Sequence, residues 1–547
     1  MKKIFFSAVT LAFLGMGSVA AQDIYKVEQF SGSDLNGDAR FVGMGGAMSS
    51  LGANLSAMGT NPASTALYRR GDMSFTFSSL SQNGNAKDAD YLGSSKNRMS
   101  FDQAGFVYTL NVDDNTLKFV NFGFGYKKAR NLHQFLGLNN IGLSRGMSQS
   151  WQMRNLAQVS NRWLDLEKDA DRGNTTPVAN LGYDVFMIDP VKDADGKVTD
   201  YKTGYAEAYH YGRAIRGAIE QYDFNVSFNL SEQYYLGVNI GLYNLHGRSA
   251  MEYEEASLGE DGMPFTAADG KRKTYLMQVE DHVSGTGVDA KFGFIARPFA
   301  ESPFRLGLAI HTPTFYNIST RSDVKLSSPY GHTNTQTGET FEYTNKSARV
   351  INDYYVRTPW KVNFSVGTTF ANVLAVGAEY EIADHLAAQT RFMDNGYAYT
   401  IDDWSRGTKD KVMQYEIDNY MKDVHTLRLG AELRVAPEWF LRGGYNFVSS
   451  PFKKDAFLNL YTDSPSYKYA TNTDYVNLGS INRFTLGIGY RGKNFYADMA
   501  YQHQAQDADI YPFHYNSENR LNIKNDVAAQ TINLKRDAFL FTVGYRF

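Results

Sequence analysis

The six residues Asp34-Leu35-Asn36-Gly37-Asp38-Ala39 come nearest in this sequence to a metal-binding signature. Asp34, Asn36 and Asp38 stand at the first, third and fifth positions of a calcium loop, where side-chain oxygens belong. That loop also needs glycine at its sixth position and a bidentate glutamate at its twelfth; the chain has Ala39 and Gly45 there. No calcium site is expected. The stretch Gly43-Met44-Gly45-Gly46-Ala47-Met48 follows no strand and lacks the glycine spacing of a dinucleotide loop. The ten histidines are scattered singly, with no HExxH pair, and there is no GxSxG elbow. Cysteine is absent, which removes disulfides, thiolate metal sites, thiol nucleophiles and a lipoprotein anchor. A formal charge of −3 gives no footprint for nucleic acid. The expectation is no enzyme, no catalytic residue, no metal and no cofactor.

What the chain repeats is alternation. In residues 222–230, Tyr222, Phe224, Val226, Phe228 and Leu230 are apolar, while Asp223, Asn225, Ser227 and Asn229 are polar. An extended strand sends successive side chains to opposite faces, so this stretch has an oily face and a wet one. Similar segments lie near 73–80, 104–112, 118–128, 222–230, 234–245, 285–297, 303–313, 358–370, 373–384, 424–436, 439–448, 481–491, 494–504 and 536–547. Short links and long polar segments alternate between them, the longest covering 129–221. An even number of antiparallel strands with short turns at one end and long loops at the other is the pattern of an outer-membrane barrel. The oily face then meets lipid. Inward charges at Glu379, Arg428, Glu432, Arg434 and Arg442 meet a wet lumen.

The ends of the chain agree. Lys2 and Lys3, an apolar run from Ile4 to Gly17 and the small residues Ser18-Val19-Ala20-Ala21 read as a secretory signal peptide over 1–21. No later segment approaches the roughly 20 apolar residues of a spanning helix, so a membrane-embedded chain must be a closed barrel. Phe547 closes an alternating strand with Tyr545, Val543, Phe541 and Phe539, which resembles the C-terminal signature of bacterial outer-membrane barrels. The 37 Tyr and 36 Phe suit strands and interfacial girdles.

Residues 22–72 do not alternate. They are rich in Gly, Ala and Ser, yet Phe30, Phe41, Val42, Met44, Met48, Leu51, Leu55 and Met58 favour a packed plug over a disordered leader. "ARFVGMGGAMSSLGANLSAMGTNPASTALY" resembles the N-terminal hatch of the FadL/TodX family of outer-membrane transporters for fatty acids and other hydrophobic compounds. Gly43, Gly45 and Gly46 fall in the hatch stretch, and Asn61-Pro62-Ala63 matches the NPA motif. Residues 424–452 also resemble hairpins of that family. The resemblance implies an all-β fold, a fourteen-stranded transmembrane barrel (73–547) plugged by an N-terminal hatch (22–72).

It also implies passive uptake of a hydrophobic ligand, captured among outer loops, passed to a pocket near the hatch, and released sideways through the barrel wall. The expected pocket residues are Phe30, Phe41, Met44 and Met48, and Arg40, Arg69 and Arg70 are candidate partners for a fatty-acid carboxylate. The third strand carries inward Asn121, Gly123 and Gly125, a candidate lateral gate because glycine permits a kink. Glycines that only make room for the hatch are the competing reading. In the loop, Leu156, Val159, Trp163 and Leu166 recur at helical spacing beside Phe135, Leu136 and Leu138. The expected partners are a hydrophobic small molecule, outer-membrane lipid and, through Phe547, the barrel-assembly machinery, with no nucleic acid; the barrel is expected to be a monomer. Two alternatives stay open: passive haem uptake, with His133 or His210 ligating iron, and a structural or secretion role binding other proteins.

Overall fold

The computed structural model describes residues 23–547 apart from 87–89, 92–96, 113, 115, 259–262, 265, 267–272, 329–343, 393–407, 462–468 and 519–523. The signal peptide expected over 1–21 lies outside the described residues. Two short helices open the chain, α1 (Ile24–Ser31) and α2 (Ala39–Gly43). Asp23 caps α1 by accepting from Lys26 N at 2.7 Å, and Asp38 caps α2 by accepting from Phe41 N at 2.9 Å.

Among the described residues fourteen antiparallel strands then close into a barrel. They are β1 (Asp72–Ala86), β2 (Arg98–Asn111), β3 (Leu117–Asn131), β4 (Tyr205–Leu230), β5 (Tyr234–Leu258), β6 (Thr274–Ala296), β7 (Arg305–His311, resuming as Phe315–Ser328), β8 (Thr344–Arg357 and Trp360–Phe370), β9 (Leu374–Asp384 and Gln389–Phe392), β10 (Val424–Ala436), β11 (Trp439–Val448), β12 (Tyr475–Arg491), β13 (Phe495–Tyr511) and β14 (Gln530–Arg546). Each pairs with its neighbours in order, and β14 closes on β1 from Asp72↔Arg546 to Ala86↔Ile532. Phe547 N donates to Gly71 O at 3.0 Å, sealing the seam. Pro313 and Pro359 sit where β7 and β8 break, since proline cannot donate to a ladder. The turn from β4 to β5 holds Ser231 and Glu232 at φ +54 and +55, steadied by Asn229 Oδ1 accepting from Glu232 N at 3.0 Å.

The wall obeys the alternation. Phe224 is 48% exposed on the outside, whereas Asp223, Asn225, Ser227 and Asn229 are buried inside. The strands overrun the membrane. β4 has 26 residues and β5 has 25, more than twice the roughly 9–11 that a tilted spanning strand needs. Tyr126, Tyr222, Leu242, Val288 and Phe315 form one register row at the upper edge of the oily belt. Above that row the phase inverts: the inward residues turn apolar, among them Tyr211, Met251, Tyr253, Met277 and Leu326. The protruding wall stands in water and packs a core on its inner side.

That core holds the segment 143–204. Helices α3 (Gln149–Leu156) and α4 (Pro177–Asp184) supply Met153, Val178 and Leu181 to it. Buried Glu255 anchors α3, accepting from Ser148 Oγ, from Gln149 N at 3.0 Å and from Tyr253 OH at 2.9 Å. Two expectations are corrected. The loop of 129–221 is strand at both ends, with β3 continuing as Gln134–Gly142 on β4. The helix read from Leu156, Val159, Trp163 and Leu166 ends at Leu156; Gln158–Val159 pairs with Arg162–Trp163 across Ser160 and Asn161 at positive φ. A two-residue turn there overrides the helical spacing.

Candidate functional site

The plug fills the lower lumen because the wall facing it is glycine. A Cβ on Gly237 would collide with Pro62, on Gly293 with Asn61, on Gly377 with Ala47, on Gly430 with Met44 and on Gly444 with Gly45. Gly45 and Gly46 themselves need glycine, at φ +61 and +84, and a Cβ on Gly45 would meet Leu429 O at 2.7 Å. Asn61 is fully buried and caps the short 3₁₀ helix Pro62–Leu67, its Oδ1 accepting from Ala63 N at 3.0 Å. Its Nδ2 donates into the wall, to Phe294 O at 3.4 Å and Leu308 O at 3.5 Å.

Charge pins the floor. Arg40 grips Glu432 through Nε at 2.9 Å and Nη2 at 2.7 Å. Glu432 also accepts from Arg442 Nε at 2.6 Å, Arg442 bonds Asp498 at 2.7 Å, and Asp498 bonds Arg491 at 2.7 Å. Higher up, Arg428 pairs with Glu381 at 3.2 Å, and Lys291 lies 3.3 Å from both Asp223 and Asp289.

Two cavities lie above this floor. The lower, about 170 Å³, is lined by Phe30, Phe41, Ile219 and Tyr316 on its apolar side and by Lys127, Lys291 and Lys361 on its basic side. Lys291 is already paired, and Lys361 Nζ donates to Ser31 O at 3.1 Å. Lys127 has no ion-pair or hydrogen-bond partner among the described residues. The upper cavity, about 250 Å³, is lined by Tyr25, Leu132, Ile215, Phe452 and Leu458 together with Arg213, Asp281 and Glu416. Glu28, Phe30 and Asp34 border both, so the end of α1 and the turn after it form the partition. Helix α5 (Lys411–Tyr420) roofs the upper cavity and carries Glu416, 5% exposed. Burial, then the Asp410 and Asp23 carboxylates, push the Glu416 carboxyl well above its usual range. Burial likewise pushes up the Tyr25 phenol.

The wall has one pairing gap beside the partition. The β2–β3 ladder ends at Gln103↔Lys127, although β2 continues on β1 to Arg98 and β3 continues on β4 to Asn131. Two bulges flank the gap: Asp102 is unmatched against β1 and Ala129 against β4. Bulges bend strands and end pairing. The plug takes up the freed groups. Asp34 N donates to Ala129 O at 2.8 Å, and Asn131 N donates to Asp34 Oδ2 at 2.8 Å. Asn36 Nδ2 donates to Lys128 O at 3.0 Å and to Asp102 Oδ1 at 3.3 Å. The acidic run that fails as a calcium loop is thus a bridge across the gap.

Several expected site residues fall elsewhere. Phe30 and Phe41 line cavities, but Met44 and Met48 are fully buried between plug and wall with Val42, Ala500 and Leu540. Arg40 is taken by Glu432; Arg69 pairs with Glu232 at 2.9 Å near the β4–β5 turn, and Arg70 is exposed. None of the three lines the lower or the upper cavity among the described residues. At Gly123 and Gly125 the ladders to β2 and β4 are unbroken, and a Cβ there would meet Met58 Sδ at 2.9 Å and Cε at 2.6 Å. Asn121 donates to Tyr68 O at 3.5 Å. These residues seat the plug, and the opening in the pairing lies higher on the same strand. Arg434 bonds Pro437 O at the turn. His133 bonds Asn131, and His210 lies six residues from Arg216, His133's neighbour on β4, so the two rings stand about 20 Å apart along the wall and share no cavity.

No protein-family model and no curated protein matches the chain. Among solved structures it is similar to a FadL homologue of Pseudomonas aeruginosa, at 13% identity over 94% of this chain and 99% of that one, with a TM-score of 0.48. It is similar also to the toluene transporter TodX of Pseudomonas putida (12% identity, 94% and 100% covered, TM-score 0.47) and to the toluene transporter TbuX of Ralstonia pickettii (13%, 94% and 99%, TM-score 0.43).

Proposed function

We propose that this chain is an outer-membrane channel that takes up a hydrophobic small molecule bearing an acidic head, such as a long-chain fatty acid, and releases it sideways between β2 and β3. The observation that carries the reading is the stack of two amphipathic cavities beside a gap where backbone pairing of β2 with β3 ends and only side chains, those of the plug and the Lys128–Ser100 bond, bridge the described strands. An apolar tail gains about 0.8 kcal/mol per methylene leaving water, which favours entry into the lined cavities. Lys127, unpaired at the lower cavity, suits a carboxylate, and it stands at the rung where β2–β3 pairing ends. Release needs Asp34 and Asn36 to let go of their three hydrogen bonds to β3 and one to β2, and Lys128 to let go of Ser100, which trades these bonds at a solvated lumen for contacts with ligand and water. No energy-coupling step is required when each stage runs down a gradient.

The chain has no native cysteine, so Ser100→Cys with Lys128→Cys, joined by a short bifunctional thiol reagent, straps β2 to β3 across the gap. Uptake of labelled fatty acid into cells lacking their own transporter should stop on strapping and return when a cleavable strap is cut. Undiminished uptake through the strapped barrel would refute lateral exit there. Native mass spectrometry of the purified protein, with fatty acid, toluene and haem added in turn, tests the ligand class: only the acid should show an affinity that falls with Lys127→Gln.

A further inference from the structure

The register of the protruding wall lines up basic side chains that transport does not use. Arg216 of β4 is paired with Arg248 of β5, Arg248 with His282 of β6, and His282 with Arg321 of β7. Paired residues share a face, and this is the outward one: Arg248 lies on the same series as Ile240, which is 43% exposed to the membrane side. Next in line is His133, placed beside Arg216 because Leu132 N donates to Gly217 O at 3.1 Å. Burial and the nearby Arg98, Lys128 and Arg216 hold its imidazole below the usual value.

Among the described residues acids pair with the row only at its Arg321 end. Glu220 below it accepts from Tyr126 OH at 3.2 Å and Asn244 Nδ2 at 3.0 Å. Asp323 above it serves Arg349 and, at 3.4 Å, Arg321. Glu280 stands one outward position above His282, paired with Asp323. Arg216, Arg248 and His282 have no ion-pair or hydrogen-bond partner among the described residues. Arg216 and Arg248 are like charges directly opposite on adjacent strands and repel, so their alignment is unfavourable until an anion lies along it.

Height decides which anion. On all four strands the row lies six residues beyond the belt edge, at 222→216, 242→248, 288→282 and 315→321. Six residues at about 3.3 Å with a tilt of about 40° give roughly 15 Å of height. The head-group layer of a bilayer adds only about 5–8 Å beyond the hydrocarbon on each side. A phospholipid phosphate stops short of the row. A lipid with charged sugars reaches it while its acyl chains lie on the aromatic belt below, against Phe124 and Phe224.

We propose that the row from His133 to Arg321 is a docking surface for an anionic outer-leaflet glycolipid whose sugars carry phosphate or carboxylate. The assignment needs the belt to sit in a membrane and is independent of what the lumen carries.

The test uses the purified, folded barrel in mild detergent, titrated with lipopolysaccharide and separately with phosphatidylglycerol. The Arg216→Gln/Arg248→Gln/Arg321→Gln variant should bind lipopolysaccharide at least tenfold more weakly than wild type, and phosphatidylglycerol unchanged. Lys535→Gln, on the outward face of β14 three strands from His133, should change neither. Heat-modifiable gel mobility verifies folding. Should the triple variant fail to fold, the three single variants are measured instead, each expected to lose about threefold. Lipopolysaccharide binding within twofold of wild type in the variants, or an equal loss for phosphatidylglycerol, would overturn the assignment.

Discussion

Asn61→Ala isolates how the plug is held. The side chain makes three bonds: Oδ1 to Ala63 N at 3.0 Å, and Nδ2 to the wall carbonyls of Phe294 at 3.4 Å and Leu308 at 3.5 Å. Losing the cap costs about 1 kcal/mol. The two wall bonds are long, and together contribute about another 1 kcal/mol. At a factor of ten per roughly 1.4 kcal/mol, the total of about 2 kcal/mol shifts plug undocking by about 30-fold. Hydrogen exchange followed by mass spectrometry reads this directly, on peptides covering residues 53–68 against peptides from β10 and β11. Exchange should quicken in the plug and not in the strands. Asn61→Ser keeps an oxygen for Ala63 N and is too short to reach the wall, so it should lie between wild type and Asn61→Ala. Unchanged protection over 53–68, or a loss spread evenly over the barrel, would refute the idea that Asn61 fastens plug to wall.

Three other outcomes follow from the geometry. Gly444→Val, whose Cβ would collide with Gly45 N, should leave heat-modifiable barrel assembly intact but displace the plug and raise single-channel conductance in planar bilayers. Glu432→Gln removes the charge that Arg40 and Arg442 share, and should destabilise the folded barrel by about 3–5 kcal/mol, seen as a lower unfolding temperature. The Glu416 carboxyl has a folded pKa above its unfolded one, so it holds its proton more tightly in the folded state; the stability it lends is full below the unfolded pKa and falls as pH rises. Glu416→Gln should therefore slow hydrogen exchange in α5 at pH 8 relative to wild type, with the difference vanishing at pH 4.

Much of the barrel was legible because a membrane imposes a strict rule on it. Each strand crossing lipid must turn one face to hydrocarbon, so YDFNVSFNL and its thirteen counterparts announce themselves by period two. What was not legible is where strands end. Above Tyr222 and Leu242 the outside is water and the inside is the packed segment 143–204, so the apolar series swaps sides. A reading that follows one oily face loses the strand at the swap, as it did at residue 222 of a strand that begins at Tyr205. The plug was legible as composition, since Gly45, Gly46 and Asn61 answer local backbone needs.

The cavity lining and the gap were not, because both depend on partners far apart in the chain. Met44 and Phe41 look alike in sequence and share one buried cluster with Ala500 and Leu540, yet Phe41 also borders the lower cavity and Met44 does not. Asp34 and Asn36 signalled themselves by calcium-loop spacing, and only the bulges at Asp102 and Ala129 show what they bond. The sequence by itself determined that this is an alternating, plugged barrel, for those properties are set by local periodicity and by solvent. Which side chains line the cavities, and where the wall is unpaired, was decided by tertiary structure, through strand register and the depth at which the plug settles.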